Sequence, residues 1–336
     1  MIVRNVPVMS IIDIDSNIYA VIKGGTKNLS IVAFNDQLSL VRELAILPDS
    51  NAYILRCVED RLLISADNRL VLFEGGESRV VLETRPGNFF WHAVEVGGRV
   101  FVQEYGESPT GIYVSGDLMH WVRVVDNERV DASSRHFHFI GYDPYRGWLI
   151  TTLGDGNVVR VAYSPDLGGT WRPLYVGPWQ FVPFVVRGDR VVFGFDSGFA
   201  RGGVGIYYPA DGEWEFRFFR PVVGVRYMQF SGLLFVDELG VYVAAFGAPQ
   251  VIAVSRDLTH WYPLYVEDVS EEFNHHVGLL RVGDEIVWWT GSSVGLVAIN
   301  ELDRAFDSRP ITMPYNAYFD RFKGLLFMAK RRLVEL

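Results

Sequence analysis

A turn followed by an apolar or alternating strand recurs eight times along this chain of 336 residues. Another apolar strand precedes each of these strands, and two more follow each of the first seven. Glycine, aspartate and asparagine occupy the turns. The eight strands begin, 38 to 50 residues apart, at Asn17, Arg61, Arg99, Gly147, Arg190, Gly240, Glu285 and Gly324. This spacing is typical of four-stranded blades, so the sequence predicts an all-β fold, a single β-propeller domain over residues 1–336.

We predict eight blades for this propeller, with seven as the alternative because the strand pattern after Asn300 is weak. The eighth repeat stops at residues 333–336, one strand short of a blade. Residues 2–5 read as a strand without a partner of its own. Pairing of these two segments would close the ring and remove both exposed strand edges.

Composition narrows the classes of partner. The net charge of −9, without a long basic stretch, argues against nucleic acid. One cysteine, Cys57, allows no internal disulfide. The first residues resemble no signal peptide, and no apolar run is long enough to cross a membrane, so we expect a soluble, cytoplasmic protein. Lysine supplies only Lys23, Lys27, Lys323 and Lys330 of the 31 basic residues, which suggests a thermophilic source.

A finer signature lies in the turns. Residues 164–171 read Ser-Pro-Asp-Leu-Gly-Gly-Thr-Trp, residues 115–121 and 255–261 are shorter versions, and residues 208–214 look like a fourth. On these residues the chain resembles the Asp-box (BNR-repeat) propellers, a superfamily of sialidases and sialidase-like proteins. We expect each aspartate to accept hydrogen bonds from turn amides, and His120 and His260 to belong to the same hairpins.

The resemblance does not extend to sialidase catalysis. No Arg-Ile-Pro motif occurs near the start, and Arg220-Pro221 comes too late and lacks the isoleucine. No catalytic residue is therefore carried over. A second run, Arg-His-Phe-His-Phe-Ile-Gly-Tyr-Asp-Pro-Tyr at residues 135–145 and Thr-Thr-Leu-Gly-Asp at residues 151–155, resembles a pattern of sialidase-like propellers. That resemblance implies a shared site without naming its chemistry.

Histidines precede the first strands of three repeats, where propellers usually bind ligands. His92 lies seven residues before the next repeated strand, and His138 and His276 lie nine residues before theirs. Equal parity predicts one orientation for the three side chains, and hence a divalent metal site formed by His92, His138 and His276. Candidates for ligand binding are His92, His136, Arg135, Gln229 and Arg226. Candidates for catalysis are Glu104, Asp196 and His138.

Three interpretations of these histidines stay open: a structural role, a metal site, or metal-free binding of a sugar or acidic ligand. No nucleotide-binding or serine-hydrolase motif occurs. We expect a ligand-binding, sialidase-like propeller, whose ligand is a small molecule or glycan. If the protein is an enzyme, a glycan-directed hydrolase or lyase is expected. The alternative is a non-catalytic scaffold that binds another protein or a glycan.

Overall fold

The computed structural model describes residues 1–14, 17–23, 28–49, 51–155, 159–196, 202–219, 228–268 and 273–311. Within these residues, strands form seven four-stranded antiparallel sheets, as predicted for the blades of an all-β propeller. One short helix, α1 (Asn127–Val130), and one 3-10 helix, Ile299–Asp307, complete the described secondary structure. Neither helix is long and apolar enough to cross a membrane.

The seven sheets are numbered in chain order, and the chain begins with strand β1 (Ile2–Arg4). Sheet 1 consists of β2 (Val8–Ile14), β3 (Asn17–Lys23), β4 (Leu29–Phe34) and β5 (Leu40–Leu47). Sheet 2 consists of β6 (Ala52–Val58), β7 (Arg61–Ala66), β8 (Arg69–Glu74) and β9 (Glu77–Glu83). Sheet 3 consists of β10 (Phe89–Val96), β11 (Arg99–Tyr105), β12 (Gly111–Ser115) and β13 (Val122–Asp126). Sheet 4 consists of β14 (Phe137–Asp143), β15 (Trp148–Leu153), β16 (Val159–Ser164) and β17 (Arg172–Val176).

The later sheets follow the same plan. Sheet 5 consists of β18 (Phe181–Val186), β19 (Val191–Phe195), β20 (Gly203–Tyr208) and β21 (Glu213–Phe218). Sheet 6 consists of β22 (Gln229–Val236), β23 (Val241–Ala248), β24 (Gln250–Ser255) and β25 (Tyr262–Asp268). Sheet 7 consists of β26 (Gly278–Val282), β27 (Glu285–Trp289), β28 (Val294–Ala298) and β1.

Seven of the eight predicted repeat strands are confirmed. They are the second strands of the sheets, and each begins within one residue of its predicted start. The turns explain this accuracy, because they carry residues that adopt left-handed backbone angles. Between β10 and β11, for example, Gly97 and Gly98 have φ values of 57° and 73°, as a two-residue hairpin turn requires. The eighth repeat strand, at Gly324, lies outside the described residues.

Completion of sheet 7 differs from the prediction in one respect. β1 pairs antiparallel with β28, with Val3 opposite Gly295. After β28 the chain enters the 3-10 helix, so the fourth strand predicted after Asn300 is wrong and β1 takes its place. The described residues thus hold seven blades, the alternative count. Residues 333–336, the predicted partner of the N-terminal strand, lie outside them.

The chain divides into two compact units. The first contains Met1–Tyr175 and Gly291–Leu296, and the second contains Val176–Thr290 and residues from Val297 onward. Each unit has its own apolar core. In the first, Phe101, Phe137 and Leu149 pack in one buried cluster; in the second, Phe230, Phe246 and Trp261 do so. The single domain over residues 1–336 stays a prediction.

The hairpins at residues 115–121, 164–171 and 255–261 make the predicted hydrogen bonds. The Asp117 carboxylate accepts from the amides of Met119 and His120 at 2.8 Å each, and Asp166 accepts from the amide of Thr170 at 2.7 Å. His120 belongs to its hairpin, with Nδ1 2.7 Å from the Asp117 carboxylate. In the third hairpin, His260 holds the same position relative to Asp257. These residues therefore stabilise their own turns.

The hydrogen bonds to the carboxylates of these turns make the stability of the protein decrease at acidic pH. Hydrogen bonds from the Thr170 amide, then from the Ser164 and Thr170 hydroxyls, lower the pKa of Asp166 to about 2. A lowered carboxyl pKa adds stability above the unfolded value of about 4, and that stability is lost as the pH falls toward 2. We therefore expect the melting temperature of Asp166→Asn to lie below that of the wild type at pH 6, and this difference to shrink by pH 2.5.

The matched control for this prediction is Asp60→Asn, an exposed turn residue whose side chain makes no hydrogen bond to the described residues. Its melting temperature should follow the wild type at every pH. An Asp166→Asn difference of constant size from pH 6 to 2.5 would contradict the assignment.

Candidate functional site

The hairpin of β14 and β15 brings three metal-ligating side chains together. Beyond the ends of the two strands the ladder continues, because the Gly154 amide donates to the His136 carbonyl at 3.0 Å. The Arg135 amide also donates to the Asp155 carbonyl, at 3.3 Å. His136 and Asp155 are thus held on facing segments, although 19 positions separate them in the chain.

A β-bulge places the third side chain, His138. Phe137 pairs with Leu153 and Phe139 pairs with Thr152, so that His138 is the extra residue on β14. Bulges redirect a side chain at the end of a ladder and are frequent next to active sites. The imidazole of His138 lies directly against Gly154, where a Cβ atom would overlap Nε2. The absence of a side chain at residue 154 therefore makes room for this imidazole.

The ligand atoms of His136, His138 and Asp155 all lie within 4.8 Å of one another. Nε2 of His136 is 2.9 Å from Nε2 of His138 and 3.7 Å from Oδ2 of Asp155. The two imidazoles are 2% and 3% exposed, whereas the side chain of Asp155 is 48% exposed. Across the described ranges of the chain, this is the one such group of histidine, cysteine, aspartate or glutamate side chains.

The tautomer of His136 follows from its second nitrogen. Nδ1 lies 2.8 Å from the carbonyl oxygen of Gly106. A carbonyl only accepts, so Nδ1 carries the proton and the Nε2 atom of neutral His136 presents its lone pair to the cluster. A backbone carbonyl on the remote nitrogen is the usual support of a metal-bound histidine.

Burial keeps His136 in this neutral form. Desolvation, followed by the proximity of His138, lowers the pKa of His136 to about 4, against the opposing influence of the Gly106 carbonyl and Asp155. Neutral imidazole is the form that binds metal ions, so no proton needs to leave His136 at neutral pH.

A buried network positions the Gly106 carbonyl. Asn88 donates through Nδ2 to the Glu107 carbonyl at 3.0 Å and accepts from the Glu107 amide at 2.8 Å. The same Nδ2 donates to Glu104 at 2.7 Å. Gly106 has a φ of 139°, and a Cβ on it would overlap Asn88. Asn88 therefore fixes the segment that carries the Gly106 carbonyl.

Glu104, a candidate for catalysis, is the central hydrogen-bond acceptor of this network. It is 2% exposed, and its carboxylate accepts from Asn88, from the Thr84 hydroxyl, from the Gly111 amide at 2.9 Å and from the Tyr113 hydroxyl at 3.2 Å. Four donors occupy both oxygens, so Glu104 holds this network in place, and its role in catalysis stays a prediction.

His92 lies beside the cluster without joining it. β10 also has a bulge, at Trp91, so that His92 pairs with Gln103. His92 thus corresponds to Phe139 of β14, and Trp91 corresponds to His138. The imidazole of His92 packs 4.3 Å from the ring of Phe139, and burial lowers its pKa to about 3. The turn after β10 has two residues, 97–98, whereas the turn after β14 has four, 144–147. Equal counts back from the next strand therefore do not place His92 and His138 at corresponding positions.

The second unit contains the other predicted site residues. Gln229 donates to the Asp196 carboxylate at 3.0 Å, so these two are brought together. Gln180 lies 3.5 Å from the second oxygen of Asp196. His276 follows Asn274, whose side chain accepts from the His276 amide at 2.9 Å. Arg226 lies outside the described residues. The metal set of His92, His138 and His276 stays a prediction.

Sequence reasoning missed two groups of the cluster, Asp155 and the Gly106 carbonyl. Asp155 ends the Thr-Thr-Leu-Gly-Asp run, whose resemblance to sialidase-like propellers implied a site, and it was not proposed as a ligand. Gly106 contacts His136, a residue 30 positions further along the chain, only in the folded protein. No pattern in the sequence around Gly106 predicts this contact.

Comparison with known proteins supports the fold. No family model and no curated protein matches this sequence. The structure is similar to an extracellular domain of BT4673 from B. thetaiotaomicron (TM-score 0.64, 11% identity), covering 87% of this chain and 38% of that one. This chain therefore spans well under half of that protein.

Two further solved structures are similar. One is the β-propeller domain of Cps50 (Swd1) from Myceliophteria thermophila, with a TM-score of 0.59 and 11% identity over 88% of this chain and 99% of that one. The other is Sqt1 from Saccharomyces cerevisiae, with a TM-score of 0.52 and 7% identity over 84% and 80%. At such identities the similarity shows the β-propeller fold alone.

Proposed function

We propose that this propeller is a ligand-binding protein that holds a divalent transition-metal ion between His136, His138 and Asp155. The Gly106 carbonyl supports the proposal most strongly, because it turns a lone pair of His136 toward the other two ligands. Ligand atoms about 2.1 Å from an ion lie about 3.0 Å apart at a right angle and about 3.4 Å apart in a tetrahedron. The separations of 2.9 and 3.7 Å bracket these values.

The donor set selects the class of metal. Two imidazoles and one carboxylate suit zinc, iron(II) and neighbouring transition metals, whereas magnesium and calcium prefer oxygen ligands. Three protein ligands leave at least one coordination position for a bound molecule or water. Enzymatic activity, including a glycan-directed hydrolase or lyase reaction, stays a prediction.

A second function is favoured by the same 2.9 Å separation. Without a metal, Nε2–H of His138 donates directly to Nε2 of His136, and the pair satisfies itself. The cluster would then be structural, and the protein a non-catalytic scaffold that binds another protein or a glycan. Metal analysis separates the two functions.

We also propose membership of the Asp-box propellers. The hairpins at residues 115–121, 164–171 and 255–261 support it, because each has an aspartate that accepts from the amides of its own turn. The cytoplasmic location, the thermophilic source and the absence of nucleic-acid and membrane partners stay predictions.

The test of the metal site is elemental mass spectrometry of the protein purified without a histidine tag. We expect about one transition-metal ion per chain in the wild type, after incubation with zinc or iron(II), and less than about a tenth of that in His138→Ala. His120→Ala is the matched control, because His120 is 89% exposed in an Asp-box hairpin and should leave the metal content unchanged. A metal-free wild type would overturn the proposal and favour the scaffold.

A further inference from the structure

Solvent reaches the cluster of His136, His138 and Asp155 from one side. The imidazoles are buried, whereas the side chains of Asp155 and Arg135 are 48% and 51% exposed. Arg135 lies at this open side, with its guanidinium 3.7 Å from the Asp155 carboxylate and 2.6 Å from that of Glu107. The guanidinium of Arg135 therefore lies next to the solvent-exposed ligand of a metal ion held by the cluster.

The aromatic ring of Tyr105 packs beside the two imidazoles. Its ring lies 4.2 Å from the imidazole of His136 and 5.7 Å from that of His138, measured between ring centroids. An aromatic ring and a cation thus both lie next to the cluster.

The charges around the cluster indicate which kind of ligand the metal-loaded site favours. One guanidinium, that of Arg135, lies within ion-pair distance of two carboxylates, Glu107 and Asp155. These three groups leave one negative charge, and a divalent cation converts it to one positive charge. A partly buried site with a surplus positive charge and an open metal position favours an anion.

We propose that the metal-loaded site binds a small carboxylate, with one oxygen on the metal and the other accepting N–H bonds from Arg135. This inference rests on the proposed metal site. The planar guanidinium matches a carboxylate in geometry, and charge-assisted hydrogen bonds of this kind are stronger than neutral ones. Arg135 is then the residue that determines specificity for a carboxylate.

The experiment uses the full chain loaded with Co²⁺, whose visible absorption reports its coordination. Binding of Co²⁺ is measured first, for the wild type, Arg135→Gln, Arg135→Lys and the control Arg129→Gln, an exposed arginine on α1. Each metal-saturated protein is then titrated with acetate, with the neutral isostere acetamide, and with phosphate.

We expect acetate to change the Co²⁺ spectrum of the wild type and of Arg129→Gln with the same affinity, and acetamide to have no effect. Arg135→Gln should weaken acetate binding about tenfold or more, and Arg135→Lys, which keeps the charge and loses the fork, should fall between them. Equal acetate affinity in Arg135→Gln, or preference for phosphate, would overturn the carboxylate proposal alone. Failure to bind Co²⁺ would overturn it together with the metal site.

Discussion

The Gly154→Ala variant is expected to fold and to lose about 100-fold or more in affinity for zinc. Gly154 lies outside the left-handed region of φ, so alanine is compatible with the backbone. Its Cβ would nevertheless overlap Nε2 of His138, the atom proposed to bind the metal. The imidazole must turn away, and displacement of one ligand atom removes its bond to the ion; even loss of a supporting contact costs 10- to 100-fold in affinity.

Isothermal titration calorimetry of the untagged variant with zinc measures this loss, and a thermal melt checks the fold. Overpacking is expected to cost about 1 to 3 kcal/mol in unfolding free energy. Gly116→Ala is the matched control, because a Cβ on Gly116 meets no atom within 4 Å. Zinc affinity in Gly154→Ala equal to that of the control would show that His138 does not bind the metal.

Replacement of Trp261 by alanine is expected to lower the free energy of unfolding by about 3 to 5 kcal/mol. Trp261 is 1% exposed in the core of the second unit. Its ring makes edge contacts with Phe219, Phe230 and Phe246 at centroid distances of 5.4 to 5.7 Å. Alanine would leave a cavity among these rings, two of which, Phe230 and Phe246, are fixed by the strands that carry them.

Urea denaturation of Trp261→Ala measures the loss, and two variants serve as comparisons. Trp121→Ala removes the corresponding tryptophan of the hairpin at residues 115–121, which is only partly buried, and should cost less. Trp261→Phe keeps an aromatic ring and removes an indole N–H that is buried without a partner among the described residues, so its loss should also be smaller. A smaller loss for Trp261→Ala than for Trp121→Ala would contradict this account of the core.

Local signals explain how much of the fold could be predicted. The turn before β11 needs two residues with positive φ, and the pair Gly97-Gly98 predicts this turn from the sequence. The partner of β1 is different, because antiparallel pairing with β28 depends on strands at opposite ends of the chain. No local pattern distinguishes Val294–Ala298 from residues 333–336 as that partner.

The candidate site was predicted in part for a related reason. His136 and His138 were recognised because two histidines precede a strand, and the structure brings them together. The count that joined His138 to His92 compared positions relative to the start of the next strand. The turn after β10 has two residues and the turn after β14 has four, so equal counts reach positions that do not correspond. His138 is also a bulged residue, which no sequence pattern reveals.

The most direct test of the metal site is an anomalous difference map from crystals of the untagged protein grown with zinc. We predict a single strong peak about 2.0 to 2.2 Å from Nε2 of His136, Nε2 of His138 and a carboxylate oxygen of Asp155. A map without a peak at this position, with the two Nε2 atoms still in direct hydrogen-bonding contact, would contradict the account and leave the cluster a structural element of the blade.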